Sequence, residues 1–349
     1  MACSEYNRSY AVVLFLLAAL YITQGQLMST ENPNPPNSGV RYITIENEDT
    51  GQRLDNYLLK ILKGVPKSHI YRLLRKGEVR INKGRVKPET RLVAGSVLRL
   101  PPIRIAERPA VPVPGQRLQA SLRAATLFED EAMLIINKPE GLAVHGGSGQ
   151  SGGVIEALRM MRPEDRFLEL VHRLDRDTSG CLMLARKRAA LKSLHGSMLA
   201  QKIEKQYLAL VKGRWPKGRS TINAPLLKRT VASGERVVRA DAQGKPAVTH
   251  YQIEETFADA TLMRVTLETG RTHQIRVHSQ LAGHPLAGDP KYGDDLFNSQ
   301  MREAGLGRMF LHAASLRLRH PLSGETLTVE APLPEALGKV LAKLRLENK

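Results

Sequence analysis

The chain has 349 residues, 42% of them hydrophobic and only 5% aromatic, enough for one large domain with a smaller companion. Its 52 Lys+Arg against 34 Asp+Glu give a net charge of +18, an excess that points to a polyanion, most often nucleic acid, or to an anionic membrane surface. The two cysteines, Cys3 and Cys181, exclude a disulfide framework and a paired-cysteine zinc site, and they fit a reducing, cytoplasmic setting.

Residues 1–50 are expected to be a leader without stable structure. Arg8 precedes an apolar run from Tyr10 to Ile22, too short to span a bilayer comfortably and closer to a signal-peptide core. However, Thr23-Gln24-Gly25-Gln26 offers no small-x-small cleavage site. Met28 opens a polar Ser-Thr-Glu-Asn-Pro-Asn-Pro-Pro-Asn stretch typical of a true N-terminus. Residues 1–27 are therefore expected to come from an over-extended reading frame, and no stable membrane association is expected. A mass measurement on the native N-terminus separates these readings.

Residues 51–100 read as a basic module. From Arg53 to Arg104 there are fourteen Lys/Arg and three Asp/Glu, so most of the net charge is concentrated there. Leu54, Tyr57, Leu58, Ile61 and Leu62 carry the stripe of an amphipathic helix over residues 53–62. Gly64 and Pro66 break it, and a second helix from about Lys67 to Lys76 ends at Gly77, placed as a C-terminal glycine. Its Ile70, Leu73 and Leu74 face inward, while Lys67, Tyr71, Arg72, Arg75 and Lys76 gather on the other side. Val79-Arg80-Ile81, the turn Asn82-Lys83-Gly84 and Val97-Leu98-Arg99-Leu100 read as short strands. A basic face is usually just solvated; at this density, contact with RNA or DNA is the stronger reading. Arg53-Leu54-Asp55-Asn56-Tyr57-Leu58, Ser68 to Gly77 and Val79 to Asn82 resemble the small RNA-binding module shared with small-subunit ribosomal protein S4.

Residues 101–122 are expected to be an extended, proline-rich linker, with a second domain over 123–345. Leu134-Ile135-Ile136-Asn137 is strand-like, and Lys138-Pro139-Glu140-Gly141 is a turn before Leu142 to His145. Gly146 to Gly153 holds five glycines in eight residues, but no Gly-Lys-Ser/Thr follows, so a phosphate loop fails and a mobile connection is expected. Phe167 to Val171 and Cys181 to Ala185 flank His172-Arg173-Leu174-Asp175-Arg176-Asp177-Thr178-Ser179-Gly180. An extended 171–175 puts Val171, Arg173 and Asp175 on one side, with a guanidinium beside a carboxylate that it keeps charged. Such a carboxylate can be a nucleophile or base, although an isolated Arg-x-Asp is more often a structural pair. Ala189 to Leu199 reads as a helix; Tyr207 to Val211, Thr249 to Glu254 and Ala260 to Glu268 read as strands. Thr272 is a plausible N-cap for a helix reaching Gly283, Gly288 to Gly293 is a loop, and Phe310 to Ala313 and Leu327 to Val329 complete the strands. Many strands, few helices and no βαβ alternation indicate an α+β domain with a mixed, largely antiparallel sheet.

The histidines 172, 273, 278, 284 and 312 lack metal-ligand spacing, so no metal is expected. The residues of a zinc nucleobase deaminase, a Gly-x-Ser-x-Gly nucleophile elbow and a dinucleotide fingerprint are also missing, and no cofactor is expected. Three readings stay open: an RNA-modifying enzyme, a non-catalytic RNA-binding or ribosome-assembly protein, and a membrane-anchored or secreted basic protein.

His172 to Gly180, Gln206 to Val211, Gly270 to His278 and Lys138-Pro139-x-Gly141 together resemble the RluA/RluC-like pseudouridine synthases of ribosomal RNA, over about residues 127–331. The resemblance implies an isomerase with Asp175 as the catalytic aspartate and Tyr207 as the residue that stacks on a flipped base and handles a proton. It implies Arg276 as the partner of the carboxylate, with Arg271 as the fallback if the loop register differs, and Arg173 as a residue holding the flipped-out nucleotide's place. Lys67, Arg72, Arg75 and Lys76 are the expected RNA contacts of the basic module. Large-subunit ribosomal RNA is the implied partner, transfer RNA the runner-up, and a monomer is expected.

Overall fold

The computed structural model describes residues 39–62, 64–103, 114–146, 152–230 and 236–347. The chain divides into two compact units, residues 1–109 and 110–349.

In the first unit, α1 (Leu54–Ile61) and α2 (Lys67–Lys76) pack on a four-stranded sheet of order β1-β4-β2-β3, built from β1 (Arg41–Thr44), β2 (Arg80–Ile81), β3 (Gly84–Arg85) and β4 (Val97–Leu100). Helix α2 stops where the composition says it should. Gly77 adopts φ 72°, a left-handed conformation that costs glycine little, and its N–H and that of Glu78 reach back to the carbonyls of Leu74 and Leu73 at 3.0 and 3.1 Å. Asn82 and Lys83, at φ 48° and 67°, turn β2 into β3 in the manner of a tight hairpin. The core joins Leu54, Leu58, Ile70, Leu74, Leu98 and Leu100. One expectation needs correction. Strand β1, paired with β4, lies within the stretch read as an unstructured leader, which lacks the alternation that reveals longer strands. Tyr71 stays beside the basic side chains, with Lys67 Nζ 5.6 Å from its ring centre, while its hydroxyl donates to the Asp55 carboxylate at 2.9 Å. Asp55 also takes a two-pronged bond from Arg53 at 3.1 and 2.7 Å, chiefly for which its carboxyl falls to about 2.

The second unit is organised around a ten-stranded sheet. Its strands are β5 (Thr126–Glu129), β6 (Met133–Lys138), β7 (Glu169–Leu170), β8 (Ser179–Ala185), β9 (Glu204–Lys212), β10 (Thr221–Asn223), β13 (Val248–Thr256), β14 (Ala260–Leu267), β15 (Leu311–Arg319) and β16 (Thr326–Glu330), with β11 (Leu226–Thr230) and β12 (Arg236–Ala240) forming a separate hairpin. The order is β10-β13-β14-β9-β15-β8-β6-β5, with β16 beside β15 and β7 beside β8. Strands β15 and β8 run parallel, while the remaining described pairs are antiparallel. This is the α+β, mainly antiparallel architecture that the strand pattern indicates. Residues alternate between two cores, so the sheet is covered on both faces. Leu134, Ile136, Leu182 and Leu184 face one cluster, and Met133, Ile135, Cys181 and Met183 face the other.

Helices α3 (Gln116–Ala124), α4 (Val154–Met161), α5 (Arg188–Leu199), α6 (Gln274–Leu281), α7 (Asp295–Glu303) and α8 (Glu335–Glu347) surround the sheet. Helix α3 begins inside the stretch read as linker, because Leu118 and Leu122 have an apolar cluster to pack on. Residues 147–151 of the glycine run, 104–113 of the linker and the apolar run from Tyr10 to Ile22 lie outside the described residues. Among the described residues, no helix is long and apolar enough to cross a membrane.

Candidate active site

Asp175 sits on the loop 171–178 that joins β7 to β8, and sequence-distant groups hold this loop at almost every step. The carbonyl of Val171 accepts from His195 Nε2 at 3.2 Å. His172 Nε2 accepts the Met183 N–H at 3.1 Å, which requires a neutral ring, and burial first, then the charge of Lys205, depresses its pKa to about 4. Leu174 is buried in the main core. The Arg176 carbonyl accepts from Lys138 Nζ at 3.0 Å, and the Asp177 carbonyl from Arg308 at 3.2 Å. Ser179 Oγ donates to buried His312 Nδ1 at 2.9 Å, whose Nε2 is 3.1 Å from the Ala331 carbonyl.

Lys138 is fully buried and spreads its three donors over the carbonyls of Pro139, Leu142 and Arg176 at 2.7, 3.0 and 3.0 Å. Burial, reinforced by the charge of Arg308, pulls its pKa to about 7. Arg308 itself binds Glu140, and its burial lowers its pKa to about 10. The lysine of the Lys-Pro-x-Gly motif is therefore a fastener for the loop and does not face the cleft.

The Asp175 carboxylate, thus anchored, reaches an open cleft lined by Arg173, Asp175, Tyr207, Arg271, His273 and Arg276 among others. The sequence geometry pairs it with the wrong cation. Residues 171–175 are loop and not strand, Arg173 is exposed, and no ion pair joins it to Asp175 among the described residues. The neighbouring guanidinium belongs to Arg276, whose Nη1 is 3.7 Å from Asp175 Oδ2, with His273 Nε2 at 3.9 Å. Arg271 lines the same cleft, but its Nε donates to the Pro246 carbonyl at 3.0 Å. Tyr207, from β9, forms an inner wall and is 7% exposed. Burial, and after it the charge of Asp175, raises its pKa, so its hydroxyl keeps its proton.

Arg276 is itself fixed. It forms a two-pronged bond of 2.7 and 2.7 Å with Asp289 and lies over the Tyr292 ring at 4.9 Å. Burial works against its charge, but the hydrogen bonds and charge of Asp289, then that of Asp175, raise its pKa. Asp289 is buried as well. Burial alone would push its carboxyl up, yet Arg276 and the N–H groups of Tyr292 and Lys291 bring it below its usual range. Such a planar fork holds direction as well as charge.

Helix α6 does not begin as expected. Thr272 is not its cap; His273 is, at φ 55° and ψ 23°, a conformation uncommon for a residue with a side chain. Its Nδ1 is 2.8 Å from the Tyr292 hydroxyl, which also accepts the Val238 N–H at 3.0 Å. Burial lowers the His273 pKa. The tyrosine therefore donates to Nδ1 of a neutral ring, leaving Nε2–H toward Asp175. His273, Asp289, Tyr292 and Lys138 had no assigned role in the sequence reading. Asp289 and Tyr292 stood in a stretch read only as a loop, and nothing in their spacing from Arg276 marks them.

In the first unit, Lys67, Arg72, Arg75 and Lys76 are all exposed along α2, and among them Lys76 lies 3.9 Å from Glu78.

A family model described as RNA pseudouridylate synthase matches residues 132–281, and an S4 domain model matches residues 52–98. Ribosomal large subunit pseudouridine synthase C of Pasteurella multocida (strain Pm70) is 56% identical over 310 residues, 88% of this chain and 95% of that protein. The protein of the same description from Escherichia coli (strain K12) is 54% identical over 321 residues, 91% of this chain and 99% of that one. Human RNA pseudouridylate synthase domain containing 4 is structurally similar, with a TM-score of 0.54 at 26% identity, over 66% of this chain and 96% of that one.

Proposed function

The chain belongs to the RNA pseudouridylate synthase family and is an RNA pseudouridine synthase, and from that premise we propose that it acts on large-subunit ribosomal RNA, isomerising specific uridines with Asp175 as nucleophile. The named relatives supply the substrate class, since both are described as ribosomal large subunit enzymes over nearly their full length. The observation that carries the residue assignment is a carboxylate at the wall of an open cleft, 3.7 Å from a guanidinium that a second carboxylate holds in place.

The reaction breaks the bond from ribose to uracil nitrogen 1 and makes one from ribose to carbon 5. The proton leaves carbon 5 and nitrogen 1 gains one, so atoms and electrons balance without a group donor or oxidant. The uridine is extruded from structured RNA at a cost of a few kcal/mol. Tyr207 offers an aromatic wall, worth about 1–3 kcal/mol per stacked base, and a hydroxyl that is protonated and ready to donate. Asp175 attacks the ring or the sugar, or assists as the base leaves by elimination. Arg276 and the Nε2–H of His273 orient its oxygens. Arg173 and Arg271 line the approach and hold the flanking backbone, while Lys67, Arg72, Arg75 and Lys76 hold phosphates farther out. The enzyme works as a monomer in the cytoplasm, where ribosomal RNA is.

Asp175→Asn, nearly isosteric, tests the assignment: pseudouridine formation should vanish while RNA binding persists, and turnover at the wild-type rate would refute it. Mapping pseudouridine in ribosomal and transfer RNA from cells with and without the protein tests the substrate. Losses confined to transfer RNA would move the reading to that class.

A further inference from the structure

The four-stranded sheet of the first unit has a face that neither helix covers. Strand register sets Tyr42 opposite Arg99, Arg99 opposite Arg80, and Arg80 opposite Arg85, a single row crossing all four strands. Side chains alternate along each strand, so this row lies away from buried Leu98 and Leu100. Like charges directly opposed in a sheet are destabilising, and the fold does not neutralise these. Arg80 Nε donates to the Gly77 carbonyl at 3.2 Å and Arg99 Nη1 to the Glu78 carbonyl at 3.0 Å. None of the three arginines forms an ion pair with a carboxylate among the described residues. The Glu78 carboxylate, which borders the same hollow, is turned to Lys76 at 3.9 Å. At the end of the row Tyr42 is 67% exposed, a large aromatic with no packing to do.

We propose that this sheet face binds an unpaired stretch of RNA, one base stacked on Tyr42 and the adjoining phosphates on Arg99 and Arg80. The inference rests on RNA being the substrate, and it names a surface separate from the α2 positions Lys67, Arg72 and Arg75. A row of guanidiniums without carboxylate partners suits an anion, and an exposed ring beside them suits a flat apolar partner. A single strand supplies both, whereas a duplex hides its base faces. Arginine also stacks on bases, so the row extends the platform beyond the tyrosine.

Fluorescence anisotropy of a short labelled oligouridylate on the full chain, with a duplex RNA of equal length for comparison, is the test. Tyr42→Ala should weaken oligouridylate binding roughly tenfold and leave duplex binding unchanged, while Tyr42→Phe should keep wild-type affinity. Arg80→Gln with Arg99→Gln should flatten the plot of log affinity against log salt by about 1.4, or about 0.7 for each lost phosphate contact. Unchanged affinity in Tyr42→Ala, an equal loss in Tyr42→Phe, or an unchanged salt slope would each overturn the proposal. If the wild-type enzyme forms pseudouridine in ribosomal RNA while any of these occurs, the sheet-face inference alone fails. If it forms none, the reading of its substrate fails first.

Discussion

Arg276 faces two carboxylates but is bound by one of them. Asp289 grips it at 2.7 Å on two nitrogens, and Asp175 waits at 3.7 Å. Asp289→Asn would leave a buried guanidinium short of its counter-charge, a loss of about 3–5 kcal/mol of stability, and would free its aim. A misplacement on the order of 1 Å at a reacting group can cost about a hundredfold. We therefore expect kcat to fall on that scale with KM for RNA little changed, and a loss confined to KM would show that Asp289 does not position the site. His172 makes a separate, pH-dependent contribution. Its folded pKa, about 4, lies below its ordinary value of 6.5, so the unfolded chain binds its proton first. The stabilisation is complete above pH 6.5 and is lost as pH falls toward 4, by at most roughly 3 kcal/mol. Urea midpoints across that range should drop more steeply for wild type than for His172→Gln. At this scale the sequence singled out Asp175 through a dense motif, His-Arg-Leu-Asp with Thr-Ser-Gly, and the structure sets that carboxylate at the wall of the cleft. Its geometry was not: alternation assumed a strand, and tertiary bonds from His195, Lys138 and Arg308 hold residues 171–178 as a loop.

The elements that carry the site were mostly readable from pattern. Strand β9 was seen through Tyr207 to Val211, β14 over its whole length with one residue beyond, and α2 to the residue, since each combines a clear period with a glycine or polar stop. Helices α4, α7 and α8 went unread, although α7 has a regular Asp294 cap accepting the Phe297 N–H at 2.8 Å. Polar side chains dilute the apolar stripe of α7, and its buried Phe297 and Met301 gain meaning only from the cluster they join. The start of α6 was misplaced for a physical reason: sequence rules favour threonine as cap, whereas the Tyr292 hydroxyl secures His273 in a left-handed conformation. A more severe constraint lies at Gly180, the second residue of β8. It has φ 108°, and an added Cβ would collide with the Ala313 carbonyl oxygen on β15. Gly180→Ala should cost roughly 1–3 kcal/mol and displace the adjacent loop, lowering the melting temperature and the turnover together. Wild-type values of both would mean that the two strands separate without consequence.

Across the whole molecule, charge and core are divided unequally between the two units. The buried residues of the first unit's apolar cluster lie within residues 45–103, and those of the clusters around the large sheet lie from residue 122 onward. Deleting residues 53–100 should therefore weaken RNA binding and reduce its salt dependence while Asp175 remains chemically competent. A truncated protein that binds as tightly as the full chain, with the same salt slope, would deny the basic module its role. The charge shift and the proline-rich stretch are properties of composition, and the chain divides into its two compact units within that stretch. The sheet order was not, since strand neighbours far apart in sequence leave no local mark. That order has a consequence for how the enzyme is made. Strands β5, β6, β7 and β8 form one block and β9, β14, β13 and β10 another, and among the described residues they meet in the sheet only through β15, some 130 residues after β8 begins. Contacts of such separation close late. Pairing between the two blocks across the sheet therefore waits for β15, and we expect it to be among the last contacts to form as the chain folds.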